Sequence, residues 1–336
     1  MRKFIIKSLF YFVPFFCVYG VYRIVDMNTT GDIGRLGKIF FEKNYFQYLE
    51  KNYLTDNLTI DTLIISYEKL QIDNASKVCT IGDSFSGQRI FGYQNYLAHL
   101  LGFKITNILR KDDNPLNTAI ALLNSNIIDN SNCSILILSS ADRMVIYRLT
   151  DIDFEMLYKK PLKIDDNQNK KNTDNSLNDL FSFIRLKFDY DNPIFKHSLK
   201  QECFTHSRFS KILFNYKSDM YFLNTSKIDI AKAKENLILL NKKFSEKGIK
   251  LIFLIAADKY DVYRPFMEDN SLPIDTITDS LSNIPDVVVI NTKPMLQEMV
   301  QNGEKDVYMV NDTHWSYKAS EAVARELAHA IDSLGF

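Results

Sequence analysis

The stretch CTIGDSFSG, residues 79–87, decides the fold. It opens as a short apolar run and stops on Gly82, Asp83 and Ser84, residue types that favour turns. Read alone, it is a strand running into a turn. Ser84 then either closes that turn or stands on it as a nucleophile, and the choice rests on what the rest of the chain supplies.

Working outward, the pattern repeats. QNYLAHLLG, residues 94–102, reads as a helix stopped by Gly102. FKITNIL (103–109) is a second strand, and PLNTAIALLNS (115–125) is a helix opened by Pro115, a favoured first-turn residue. CSILILSSAD (133–142) is a third strand whose continuous apolar run suits burial on both faces. The rhythm breaks between about 145 and 225, where a polar loop at 163–179 reads as a lid or a disordered insert. It then returns. Ile230, Ala233, Leu237, Leu240 and Phe244 line one helix face, stopped at Gly248. KLIFLIAAD (251–258, with Lys250) is a fourth strand, DVVVINT (286–292) a fifth, and a helix from about Tyr317 closes the chain. Strand and helix in alternation imply a parallel sheet covered on both faces. Sites in such sheets form at the carboxyl ends of the strands, and Ser84 falls just after the first one.

The chain has 336 residues, 46% hydrophobic and 24% charged, enough for one large domain or two small ones with a substantial core. Its 41 basic and 41 acidic residues balance, which argues against a nucleic-acid protein held by bulk electrostatics. Four cysteines (Cys17, Cys79, Cys133 and Cys203) form no CxxC pair, and the histidines do not cluster, so no metal site is expected. No cofactor is implied.

Arg2, Lys3 and Lys7 precede an uncharged apolar run over residues 8–22. With Phe4–Ile6 and Ile24–Val25 it approaches the ~20 residues of a span. It is either a signal peptide cleaved near Gly20 or an uncleaved anchor over residues 4–25, and the anchor is the expectation. The basic flank keeps the N-terminus in the cytoplasm and puts the domain outside, in the periplasm or at the cell surface. The expected organisation is an anchor at 1–26, a stalk or lead-in at 27–75 containing an amphipathic helix, KIFFEKNYFQYLEKNYL, and one domain at 76–336 with an insertion at about 145–225.

A serine hydroxyl attacks only when a base takes its proton. Of the five histidines, His314 stands out. It lies in MVNDTHWSYKAS (309–320) ahead of the last helix, with Asp312 two residues before it and Trp315 after it. In an extended segment, residues two apart share a face, so Asp312 can fix the tautomer of His314. Trp315 can wall the site. The alternative is helix capping by Ser316, with Asp312 a polar loop residue.

Together these segments have a recognisable look. GDSFS after the first strand and DTHW before the last helix resemble the SGNH (GDSL) hydrolase superfamily. The DTHW form is similar to its alginate O-acetyltransferase-like branch, as are the N-terminal run and LIAADKYDVY (254–263), with its Lys259 and downstream Tyr. The resemblance covers roughly residues 76–336 without the insertion. It implies a three-layer α/β/α sandwich, with Ser84 as nucleophile, His314 as base, Asp312 as its partner and the Ser84 N–H as an oxyanion donor. The chain departs from the pattern in three ways. The family's glycine falls in KDDNPLN (111–117) and its asparagine in SSADR (139–143), neither of which contains the residue in question; Asn114, Ser140 and Arg143 are the candidates in their place. The serine also precedes DTHW here, as in ordinary GDSL esterases. Arg89 and Lys259 are further candidate contacts to substrate.

The function expected from the resemblance is O-acetyl transfer to a cell-envelope polysaccharide through an acyl-enzyme. An acylated glycan or acyl donor would be its ligand, and a multi-pass membrane acyltransferase its partner. Water in place of the sugar gives an esterase. A non-catalytic glycan-binding scaffold on a decayed hydrolase fold is the reading from another class. In the insertion, Phe181, Phe183, Arg185, Tyr190, His206 and Arg208 either meet sugars or pack the insertion on the core.

Overall fold

Val78–Gly82 forms a strand buried along its whole length. A strand with no exposed face sits inside a sheet covered on both sides, which is why its sequence shows no alternation. The computed structural model describes residues 2–28, 32–33, 62–66, 76–88, 91–109, 114–157, 194–217, 219, 229–274 and 277–336. The chain runs α1 (Arg2–Asn28), β1 (Thr62–Ser66), β2 (Val78–Gly82), α2 (Tyr93–Leu101), β3 (Ile105–Leu109), α3 (Pro115–Asn124), β4 (Ile135–Ala141) and α4 (Asp142–Thr150). It continues with β5 (Ile194–Ser198), β6 (Ile212–Tyr216), α5 (Ile230–Glu246), β7 (Lys250–Ala256), α6 (Lys259–Tyr263), β8 (Val288–Asn291), α7 (Lys293–Gln301) and α8 (Tyr317–Ser333).

The main sheet has the order β1-β3-β2-β4-β7-β8, and every pairing in it is parallel. From β2 the chain goes out to β3 on one side, then crosses back to β4 on the other. The turn after β2 therefore opens where the strand order reverses, the crevice in which open α/β sheets hold ligands. Alternate residues of β4 feed opposite layers. Ile135 and Ile137 pack with Tyr93 and Leu97 of α2 and with Val323 and Leu327 of α8. Leu136 and Leu138 pack with Leu116 and Ile120 of α3 and with Leu237, Leu240 and Phe244 of α5. The result is helices on both faces of a parallel sheet.

The punctuation follows the sequence. Gly102 ends α2 in the left-handed region at φ 71°, and Asn114 caps α3 with Pro115 at its first turn.

Two segments differ from expectation. The lead-in is not a stalk throughout: Thr62–Ser66 adds a parallel edge strand in register with Ile105–Leu109. The break in the rhythm is also partly ordered, since α4 follows β4 directly and β5 and β6 pair as an antiparallel hairpin. The amphipathic helix expected within 38–54 and the loop at 163–179 lie outside the described residues.

At the N-terminus α1 is a helix with Pro14 inside it. Its side chains are described over residues 3–4 and 7–20, and large apolar ones such as Phe10 and Phe16 are exposed. Among the described residues no helix is long and apolar enough to cross a membrane.

Candidate active site

Each residue of GDSFS has a separate task. Gly82 is there for space: a Cβ on it would lie 2.1 Å from Ser139 Oγ and 2.2 Å from Ser86 Oγ. Asp83 caps the short 3-10 turn Ser84–Gly87 by accepting the Phe85 N–H. Its other oxygen accepts from the Ala141 N–H (2.6 Å) and pairs with Arg148 (2.7 Å). The turn is thus tied to the end of β4 and to α4. Ser86 is buried and bonds Ser139 Oγ at 2.7 Å and Tyr93 OH at 3.2 Å. Its carbonyl accepts from Asn107 and Gln94. Ser84 alone points out: it is exposed, and among the described residues neither its N–H nor its hydroxyl has a hydrogen-bond partner. A cleft of about 180 Å³ lies beside it, lined by Ser84, Gly87, Asn107, Ile108 and Leu109 among others.

The loop before α8 meets this turn. Phe85 packs its ring 5.2 Å from the imidazole of His314 and 4.8 Å from Trp315. Gln88 donates to the Trp315 carbonyl at 3.3 Å. Trp315 is fully buried, its indole N–H bonded to Tyr308 OH at 2.8 Å, so it joins the serine turn to the histidine loop rather than facing a cleft. Asp312 Oδ1 accepts from His314 Nδ1 at 2.5 Å and from the His314 backbone N–H at 3.0 Å. The pairing arises differently from the extended segment expected. The chain bends at 313–314, and the carboxylate folds forward onto the backbone N–H and Nδ1 of the residue two ahead, the former as in an Asx turn. Ser316 does cap α8, accepting the Lys318 N–H, so capping and pairing coexist.

The electrostatics suit a histidine held as a base. Burial alone would lower the His314 pKa, but the Asp312 bond and the charges of Asp312, Asp32 and Asp83 outweigh it and raise it above its ordinary value. Burial likewise works to raise Asp312, but the bond and charge of His314 keep its carboxyl below the ordinary range. Asp32 was not found from the sequence. Its oxygens accept from the Thr313 N–H (2.9 Å) and hydroxyl (2.5 Å), and its N–H donates to Asp312 Oδ2 at 3.1 Å. Asp32, Asp312 and His314 bring ligand-type atoms within 4.8 Å of one another, a spacing a cation can use. Each of the four carboxylate oxygens already accepts a hydrogen bond, however, from Thr313, Ile33, His314 or Asp32 itself. That arrangement fits proton holding better than metal ligation.

Residues 213–335 match the family model for the SGNH hydrolase-like domain of the acetyltransferase AlgX. The chain is similar to the AlgX-type SGNH family. No curated protein matches it. The matched stretch, a little over a third of the chain, contains Lys259 and the Asp312–His314 loop, whereas Ser84 comes to it from outside, through the Phe85 contacts.

The remaining candidates take other places. Lys259 is buried, and its ammonium donates to the carbonyls of Met309 (2.7 Å), Val310 (3.1 Å) and Asp312 (3.0 Å). All three of its N–H groups are spent on shaping the histidine loop, so it does not reach for substrate. Burial pushes its pKa down to about 7, against the pull of Asp32, Asp312 and Asp306. Ser140 is also buried, bonded to Arg148 at 2.8 Å behind Asp83, so it is not an oxyanion donor. Arg143 pairs with Asp258 and lies 3.5 Å from Asp219. The Asn114 side chain is spent on the Leu116 N–H of its own helix cap, with a second bond to the Arg148 carbonyl. His206 is buried and stacked on Phe209 at 4.7 Å, a packing role, and Arg208 lies over the same ring. Arg89, Phe181, Phe183, Arg185 and Tyr190 lie outside the described residues.

Proposed function

We propose that this chain is an acyl-ester enzyme of the SGNH type, working as an O-acetyltransferase on a cell-envelope polysaccharide. One observation carries the reading: an Asp312–His314 pair packed through Phe85 against the turn that presents an exposed, unbonded Ser84. With Nδ1 committed to Asp312, Nε2 of His314 is the free basic nitrogen. Ser84 Oγ attacks the acetyl carbonyl of the donor ester as Nε2 takes its proton. The charge on the carbonyl oxygen meets the Ser84 N–H at the start of its turn. The donor C–O bond breaks, and the leaving oxygen takes the proton back from His314. The acetyl ester on Ser84 is then attacked by a sugar hydroxyl that His314 deprotonates, which releases the serine. Water in the same place gives ester hydrolysis with the same residues.

The membrane reading belongs to the same proposal. The basic flank of α1 and its apolar side chains facing every way support an N-terminal anchor with the domain outside the cytoplasm. An acetyl group drawn from the cytoplasm would then need a separate multi-pass membrane acyltransferase to deliver it.

The test is release of nitrophenol from p-nitrophenyl acetate by the full chain in detergent, beside Ser84→Ala and His314→Ala. Both variants should lose roughly three orders of magnitude or more in rate. The base must be neutral, and its pKa is raised in the folded protein, so the rate should climb with pH through a midpoint above 6.5. Added oligosaccharide should divert acetyl from water to sugar. Equal rates in all three proteins, with no acetyl on Ser84 by intact mass, would leave a glycan-binding scaffold as the reading.

A further inference from the structure

We propose that Asp32, brought in by the chain just beyond α1, is a second positioning carboxylate for His314. The inference rests on His314 acting as the base described above.

The geometry is specific. Asp32 Oδ2 lies 3.9 Å from His314 Nδ1, beyond a direct bond but close enough for its charge to act. Its two oxygens grip Thr313, the residue between Asp312 and His314, at both its N–H and its hydroxyl. Its own N–H holds Asp312 Oδ2, the oxygen that His314 does not use. One residue therefore bonds two members of Asp-Thr-His, Asp312 and Thr313, and sets its charge beside the third. The segment is itself pinned, because Ile33 is fully buried in the apolar layer that contains Trp315 and the inner face of α8. Neither a stalk nor a loose linker needs such a grip on the loop that carries His314.

The charged and titratable groups around His314 come from four elements. Asp312 is on its own loop, Asp32 on the segment after α1, and Asp83 at the cap of the serine turn; Lys259 of α6 sits under the loop. Asp32 and Asp312 share the site unequally. Burial and the Asp312 charge push the Asp32 carboxyl up, while Asp312 is held low by its direct bond to the imidazole. Asp312 orients the ring, and Asp32 holds the loop and adds to the field that stabilises the imidazolium.

The experiment is an NMR titration of histidine-labelled full chain in detergent micelles, comparing the natural protein with Asp32→Asn. Asparagine keeps an acceptor for Thr313 and removes the charge. The His314 pKa should fall by about one unit. The acid limb of kcat/KM for p-nitrophenyl acetate should move down with it, and kcat should fall about 3–10-fold with KM nearly unchanged. A folded Asp32→Asn protein with an unmoved His314 pKa overturns the inference. A shifted pKa in a protein without esterase activity leaves the coupling standing and removes the acyl-transfer reading instead. If Asp32→Asn does not fold, the carboxyl carbon of Asp32 is followed in the unaltered chain. A second inflection at the pH where His314 titrates supports the coupling, and a single inflection defeats it.

Discussion

At the scale of single residues, the opening motif shows why a small residue can matter more than a reactive one. Gly82 has an ordinary backbone, so its role is purely the room it leaves for Ser86 and Ser139. In Gly82→Ala the added methyl would force those hydroxyls apart. The expected loss is about 2–4 kcal/mol, from overpacking together with a broken buried hydrogen bond, read as a shift in the urea midpoint. An unchanged midpoint would mean that the turn rises to make space. The Asp312–His314 pair was legible from its spacing, because a carboxylate two residues from an imidazole can reach it in more than one backbone shape. Asp32 was not, because it lies 280 residues from Asp312 and carries no local pattern. Lys259 was noticed but misread, since sequence spacing does not reveal that an ammonium is buried under three carbonyls.

At the scale of elements, the histidine loop is the least regular part of the site and the most heavily tied. Lys259 holds it from below, Asp32 from the side, and Trp315 anchors it to the serine turn. Lys259→Met would remove the ammonium that three carbonyls of the loop share. It should cost about 2–4 kcal/mol of stability, after the relief of a buried charge is set against the lost bonds. The loosened loop should also lower nitrophenol release in the protein that remains folded. Full activity with full stability would show that Lys259 is dispensable to the loop. The strands of the sheet were legible because buried parallel strands are unbroken apolar runs. β1 was hidden, its TLIIS run being only five residues long in a lead-in read as a stalk. The hairpin of β5 and β6 was hidden because β5 is largely exposed and partly polar, and the apolar run of β6, Ile212–Phe214, is only three residues long in an insertion read as polar.

At the scale of the whole molecule, α1 and the domain make separate contributions. Deleting residues 2–28 should move the protein from the membrane fraction to the soluble fraction while leaving the Asp32 grip intact; retention in the membrane pellet would locate the attachment elsewhere. Finally, the groups that make up the site are gathered from both ends of the chain: Thr313 meets Asp32 across 281 residues, and Trp315 meets Gln88 across 227. Contacts that distant form late, because loop-closure entropy must be met before they stabilise anything. During synthesis the serine turn is made early, but the His314 loop emerges only with the last stretch of the chain. An unfinished polypeptide thus presents Ser84 without the Asp312–His314 pair. If the proposed acyl chemistry holds, it would begin only when the final helix has closed on the sheet, and activity would then report that folding is complete.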